Sequence, residues 1–366
     1  MRVLVVNAPK ALARDLHQRD NAAERMNLLL ADASNPLPAE DGCDSFVTIS
    51  SRRKVDLAAI GALRKTSREF QPDIGHSFLP RSLSQTVLAT MGLRKKPKIV
   101  SFYGITRVPS WREPADWITY LSPRVAMHAC ESYAVKSALV QGGVPETKCE
   151  VIYNCVEKST HALTRRELLA KYQIPENAFV VGTVATVRPV KGIDVLIRAL
   201  IECSDIGNLV AIIAGPIQDS KAATLSQHPR LKGRIRMLGY THNASSLMKG
   251  MDLFAMPSRK EGLCRALLEA MGQGVCPIVS DAGGMKEVVR NGIDGIVFPS
   301  EDSVALASAI RRLHATPTQI ARFGRSANER VQSMCSPRVV GDRVLNMYRR
   351  LAADSHQTVR SCTTAA

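Results

Sequence analysis

Pro257-Ser258-Arg259-Lys260-Glu261-Gly262-Leu263-Cys264-Arg265-Ala266-Leu267-Leu268-Glu269-Ala270-Met271 follows directly on the apolar run Leu253-Phe254-Ala255-Met256. The run reads as a buried strand, Pro-Ser as the turn that ends it, and Glu-Gly as a loop opening a helix. Glu261 and Glu269 lie eight residues apart, about 12 Å if the whole interval is helical. The amides of Gly262, Leu263 and Cys264 are expected at the start of that helix, where N–H groups and the helix dipole favour an anion. Two carboxylates flanking such a site suit a ligand with hydroxyls at both ends and a diphosphate between them. An ordinary strand-to-helix crossover with a solvated Glu at each end carries the same pair, so the choice rests on the other landmarks.

Outward from this stretch, short apolar runs alternate with helical patterns, which predicts βα units and parallel sheets. In the first half the expected strands are 2–6, 45–49, 73–76, 99–103, 125–130 and 150–153. In the second half they are 179–185, 209–214, 235–238, 253–256, 277–280 and 295–298. Two such sets in 366 residues predict an α/β protein of two doubly wound domains, with ligands at the carboxyl ends of the strands and in the crevice between the halves.

Glu-Gly-Leu, the seven residues between the two Glu, Gly274 and the pair Gly283-Gly284 resemble the retaining glycosyltransferases of family 4. The resemblance covers nearly the whole chain and is strongest over 180–298. It implies the GT-B fold, two Rossmann-like domains facing across a cleft. Residues 1–157 would form the acceptor-side domain and 158–336 the nucleotide-sugar domain. A helix over about 337–353 would pack back on the first domain, and the polar tail 354–366 reads as disordered. At the boundary, Asn154-Cys155-Val156-Glu157 stands where the family has Asn-Gly-Val-Asp.

The resemblance also assigns residues. Val181 to Gly192 is similar to the donor-phosphate loop, with Lys191 at the family's Lys-Gly position. Many members carry Arg five residues earlier, where this chain has Thr186, and Arg188 is the nearest substitute. Lys191 and Arg188 are expected to stabilise the leaving diphosphate, Glu261 to hold the donor sugar, and Glu269 the ribose. Gly215 and Tyr240 fall beside the nucleotide, and Glu287 follows the glycine pair. In the first half Asn21-Ala22-Ala23-Glu24-Arg25 loosely echoes the family's Gly-Gly loop. Tyr103 replaces the His that usually faces the donor sugar; a phenol is a poor base near neutral pH. His76, in Pro72-Asp73-Ile74-Gly75-His76, either faces the acceptor or packs a loop. Trp111 and Trp117 with Arg107, Arg112 and Tyr120 suit sugar stacking, a lipid interface or an aromatic-packed helix pair.

Composition narrows the field. Lys and Arg outnumber Asp and Glu by 21 to 16 over residues 1–157 and by 28 to 17 over 158–366, within a net charge of +16. That favours anionic partners. An aromatic content of 5%, with no basic-aromatic interleaving, argues against nucleic acid. Nine scattered Cys and no Cys-x-x-Cys predict reduced buried thiols rather than a disulfide frame or zinc site. No metal helix motif occurs, and the resemblance implies no metal or other cofactor, the nucleoside-diphosphate sugar being a co-substrate. The expected partners are that donor, a glycan or lipid-linked acceptor, and peripheral contact with an anionic membrane. The expected location is cytoplasmic, on the inner face of the membrane. The implied activity is hexosyl or N-acetylhexosaminyl transfer in lipopolysaccharide or other cell-surface polysaccharide synthesis. A sugar-nucleotide epimerase on the same fold, or a non-catalytic sugar-nucleotide-binding or glycan-binding protein, are the rival readings.

Overall fold

A computed structural model of the chain describes residues 1–20, 27–32, 46–48, 55–157 and 162–363. The chain divides into two units, Met1–Cys155 with Pro337–Ala366, and Val156–Ser336. The first holds seven parallel strands: β1 (Arg2–Val6), β2 (Asn27–Asp32), β3 (Phe46–Thr48), β4 (Ile74–Ser77), β5 (Lys98–Tyr103), β6 (Val125–Cys130) and β7 (Cys149–Val151), in the order β3-β2-β1-β4-β5-β6-β7. The second holds six: β8 (Phe179–Val184), β9 (Leu209–Ala214), β10 (Ile235–Gly239), β11 (Leu253–Met256), β12 (Cys276–Ser280) and β13 (Ile296–Phe298), in the order β10-β9-β8-β11-β12-β13. Both sheets are doubly wound, as parallel strands buried on both faces require.

The burial pattern follows from the residue spacing. β9 is buried at every position, as expected of a central strand covered on both faces. On the helix Ile193–Glu202 the residues Ile193, Leu196, Ile197 and Leu200 recur at helical period and are all buried. They enter one core with Val181 and Ile213 of the sheet. In the first unit Val3, Val5, Ile74 and Val100 pack against Val340, Val344 and Tyr348 of the final helix.

Two expectations fail. β2 was not anticipated: Leu28-Leu29-Leu30 is a short run of a good helix former, and periodicity cannot assign so short a run. The final helix does not stop near residue 353 but spans Pro337–Thr363; no Gly or Pro follows Gly341 before its end, so nothing in the backbone chemistry breaks it. The Asn21–Arg25 stretch lies outside the described residues. Among the described residues no helix is long and apolar enough to cross a membrane.

Candidate functional site

In the second unit the strand order reverses between β8 and β11, which are hydrogen-bonded neighbours. A reversal of this kind parts the loops that leave the two carboxyl ends and opens a place for a ligand. The loop after β8 carries Arg188 and Lys191; the loop after β11 carries Ser258 and Glu261. Lys191 Nζ donates to Glu261 Oε1 across the reversal, and Ser258 Oγ donates to the same oxygen at 3.0 Å. Their side chains are only 18% and 11% exposed, so the pair sits in a recess where charge is weakly screened.

Backbone contacts that only glycine permits bring these loops together. Gly192 has φ +63°, and a Cβ there would lie 2.0 Å from the Pro257 carbonyl oxygen. Gly283 has φ +57°, and its Cβ would lie 1.8 Å from the Glu261 carbonyl oxygen. No L side chain tolerates either position. Gly284 N–H also donates to the Gly262 carbonyl at 3.0 Å. The glycine pair thus holds the β12 loop against the Glu261 loop.

A second clamp was not anticipated. The guanidinium of Arg259 grips Asp194 with two bonds of 2.9 and 3.0 Å and Glu301 at 2.5 Å. The backbone N–H of Arg259 donates to the Val190 carbonyl at 2.8 Å. Lys221 adds a contact to Asp194 at 3.1 Å. Burial alone would raise the Asp194 carboxyl, but the bonds from Arg259 and Lys221 outweigh it and hold it below the ordinary carboxylate range. The same stretch of sequence contains Arg259, and Asp194 stands two residues after Lys191-Gly192, in the first turn of the next helix, so the available signal was position beside the two loops. Ser258 is fully buried, and its carbonyl accepts from Ser280 Oγ at 2.5 Å.

The helix after Glu261 starts later than the sequence suggested. It spans Arg265–Gly272 with Cys264 as its N-cap, so Gly262 and Leu263 lie in the preceding turn, not in the first helical turn. Leu263 and Cys264 are buried, and burial pushes the Cys264 thiol up to about 12. Their contribution to a ligand is confined to the backbone. Glu269 lies one turn into the helix, partly exposed, and accepts from Arg265 Nε at 3.0 Å. Gly215 follows β9 and donates to the Gly239 carbonyl at 2.8 Å. Tyr240 follows β10 and is 78% exposed. Arg188 is exposed at the edge of the same loop, and its carbonyl accepts from Lys191 N–H at 2.8 Å. Lys191, Arg188, Glu261, Gly215, Tyr240 and the Gly262–Cys264 turn therefore share the carboxyl edge of one sheet. Glu287 sits in the short helix Met285–Val288 just beyond the glycine pair.

The two first-unit residues are placed differently. His76 lies in β4 opposite Val5 and Val100, fully buried. Its Nδ1 is 2.7 Å from the Tyr348 hydroxyl, its ring stacks on Phe78 at 4.1 Å, and burial drives its pKa down to about 3. It ties the final helix to the sheet and is not presented at a surface. Tyr103 is fully buried, and its hydroxyl donates to the Arg107 carbonyl. Burial raises that phenol to about 12. Strand alternation and the core packing of Tyr103 with Tyr120 explain why this residue supports a loop where a donor-facing role was expected. That loop is no helix pair. Arg107 clamps Asp116 with bonds of 2.8 and 2.5 Å, Trp117 Nε1 donates to the Trp111 carbonyl at 2.7 Å, and the two Trp are 61% and 50% exposed. Seven described Cys, including Cys130, Cys203 and Cys335, are free and buried.

Comparison with known proteins places the chain in a family. Residues 164–330 match the family model "Glycosyl transferases group 1", and residues 11–160 match "Glycosyltransferase Family 4". A glycogen synthase of Myxococcus xanthus is 32% identical over 188 residues, 49% of this chain and 39% of that protein. The lipopolysaccharide core biosynthesis glycosyltransferase LpsD of Rhizobium meliloti is 30% identical over 181 residues, 50% of this chain and 52% of that protein. The chain thus spans about half or less of the length of these curated relatives, 39% of one and 52% of the other. The crystal structure of Anabaena HepE in complex with UDP and glucose aligns with a TM-score of 0.77 at 19% identity, over 96% of this chain and all of the other, which shows a shared fold.

Proposed function

Because the chain belongs to the family 4, group 1 glycosyltransferases of GT-B fold, we propose that it moves a hexose or N-acetylhexosamine from a nucleoside-diphosphate sugar to a glycan acceptor, with retention of anomeric configuration. The observation that carries this reading is the Lys191–Glu261 pair, seated at the strand-order reversal and held by glycine contacts. In the proposed complex Glu261 turns to the sugar hydroxyls and Lys191 to the diphosphate, aided by Arg188 and the amino end of the helix Arg265–Gly272. Glu269 takes the ribose. The bond from the anomeric carbon to the diphosphate oxygen breaks as the acceptor oxygen bonds to that carbon, and the acceptor proton passes to the departing phosphate. Negative charge grows on the diphosphate in this step, and fixed cations and helix dipoles stabilise it without rearranging.

The name of the LpsD relative supports lipopolysaccharide or another cell-surface polysaccharide as the acceptor class. A net charge of +16 and the outward Trp111 and Trp117 support peripheral contact with an anionic membrane on its cytoplasmic side. Flotation with acidic vesicles, reduced in Trp111→Ala/Trp117→Ala, is the expected sign of it. The function itself is tested by thermal shift against a panel of nucleoside-diphosphate sugars. The expected result is a rise in Tm with one donor, abolished in Lys191→Ala and in Glu269→Ala. A rise that survives in both variants, or no rise with any donor, overturns the site assignment.

A further inference from the structure

At the amino-terminal edge of the first sheet, opposite the edge where doubly wound sheets bind ligands, lies a cavity of about 650 Å³. One wall is the end of the helix Leu57–Phe70 with its cap, contributing Ser67, Arg68 and Gln71. The other is the loop before β5, contributing Gly92, Arg94 and Lys95. Two helices end here, and their carboxyl ends carry partial negative charge. Basic residues near helix ends ordinarily serve only to answer those carbonyls, and several do so here. Arg64 donates to the carbonyls of Leu88, Ala89 and Met91. Arg2 donates to Phe70 at 3.1 Å. Lys95 donates to Gln71 at 2.8 Å and pairs with Asp73 at 2.7 Å.

That role does not account for the rest of the wall. Arg68 and Arg94 are exposed and have no hydrogen bond or ion pair among the described residues. Ser67 is 3% exposed, yet its Oγ has no partner. A buried hydroxyl left unpaired carries an uncompensated desolvation cost. The carbonyls of Phe70, Gln71, Leu88, Ala89 and Met91 are answered by Arg2, Lys95 and Arg64, Asp73 is paired with Lys95, and two guanidinium groups remain on the same cavity lining as an unpaired hydroxyl donor. Guanidinium forks match phosphate oxygens in pairs, and a hydroxyl completes such a site.

The geometry points to a second binding site in which Arg68, Arg94 and Ser67 hold a phosphate group carried by a small soluble ligand or by a lipid headgroup. This site is separate from the one proposed for the donor, and it stands or falls independently of it.

The test measures binding of inorganic pyrophosphate by calorimetry at low salt, in full-length Lys191→Ala protein so that the donor loop does not contribute. Flotation with vesicles of neutral lipid plus phosphatidic acid runs alongside. Expected is saturable binding of at least one probe, weakened 10-fold or more by Arg68→Gln/Arg94→Gln and several-fold by Ser67→Ala. The charge-matched control Lys232→Gln/Lys249→Gln, on exposed positions of the other unit, is expected to bind normally. Pyrophosphate binding identifies a soluble ligand, and vesicle binding alone identifies a headgroup. Equal weakening by the control pair reduces the effect to net charge and overturns the proposal. So does binding that is unchanged in Arg68→Gln/Arg94→Gln at an unaltered Tm, and so does no binding of either probe.

Discussion

Glu261 is almost enclosed, and two groups account for its charge: Lys191 Nζ and Ser258 Oγ, both on one carboxylate oxygen. Removing one member of a buried pair leaves the other desolvated and unmatched, which costs more than the pair contributes. Lys191→Ala is therefore expected to lower Tm as well as activity. Adding Glu261→Gln should recover much of the lost Tm, because a neutral amide needs no counter-ion, while activity stays absent. Thermal melts and sugar-transfer assays of the two single variants and the double check this; a double variant as unstable as Lys191→Ala would show the pair to be energetically idle. Gly283 sets a different constraint. A methyl group 1.8 Å from the Glu261 carbonyl at φ +57° forces the two loops apart. Gly283→Ala is expected to cost about 1–3 kcal/mol, a few degrees in Tm for a unit of this size, and to weaken donor binding beyond that loss. Calorimetric melts and donor titration measure both, and an unchanged affinity would show the loop contact to be irrelevant to the site.

The loops after β8 and β11 act as one element because Arg259 spans them. It binds Asp194 in the first turn of the next helix, Glu301 after β13, and the carbonyls of Pro189 and Val190. Asp194→Ala should free the β8 loop to move while leaving Lys191 and Glu261 in place chemically. Its cost should fall below the roughly 3–5 kcal/mol of a broken buried pair, since Arg259 keeps its other partners. The expected signature is a higher KM for the donor with a smaller change in kcat; a fall in kcat alone would point to a different role for the clamp. At this scale the limits of the sequence have physical causes. The second sheet was legible almost strand by strand because most of its apolar runs are followed closely by Gly or Pro. β2 was missed because three Leu in a row fit helix and strand alike. Lys191, Glu261 and Gly283-Gly284 could be placed at the carboxyl edge of the second sheet from sequence because each lies in a loop that follows an apolar run, whereas the bond between Lys191 and Glu261, 70 residues apart, could not. The Arg259–Asp194 clamp joins residues 65 apart through side chains, and no local pattern encodes that. His76 and Tyr103 were misplaced for a related reason. A residue at a strand end can turn inward or outward, and the partners that turned them inward, Tyr348 and Arg107, come from a distant helix and a loop.

Over the whole molecule, charge and burial are distributed unequally, and this makes acid stability a property of one unit. His76 and His128 both lie in the first unit. Burial lowers His76 to about 3 and, with a smaller contribution from Lys148, lowers His128 to about 4. His128 Nδ1 is 2.6 Å from Ser101 Oγ, so both rings are built into the sheet. Unfolded, each would titrate near 6.5. Between that value and the folded pKa the unfolded chain binds protons that the native unit does not, so stability falls as pH drops. The loss begins near pH 6.5 and reaches on the order of 2 kcal/mol per histidine by pH 5. The carboxylates held low, Asp73 and Asp294 among them, act in a separate window. Their contribution is complete above the ordinary carboxylate range and is lost only as pH falls below it. Acidification from pH 7 to 5 is therefore expected to raise amide exchange in β1, β4, β5 and β6 before it affects β8, β9, β11 and β12. Hydrogen exchange with mass spectrometry at pH values corrected for intrinsic rates resolves the two sets of strands. His128→Gln should flatten the pH dependence of the first set without touching the second. Equal acid sensitivity in both sets would overturn the assignment of this effect to the buried histidines.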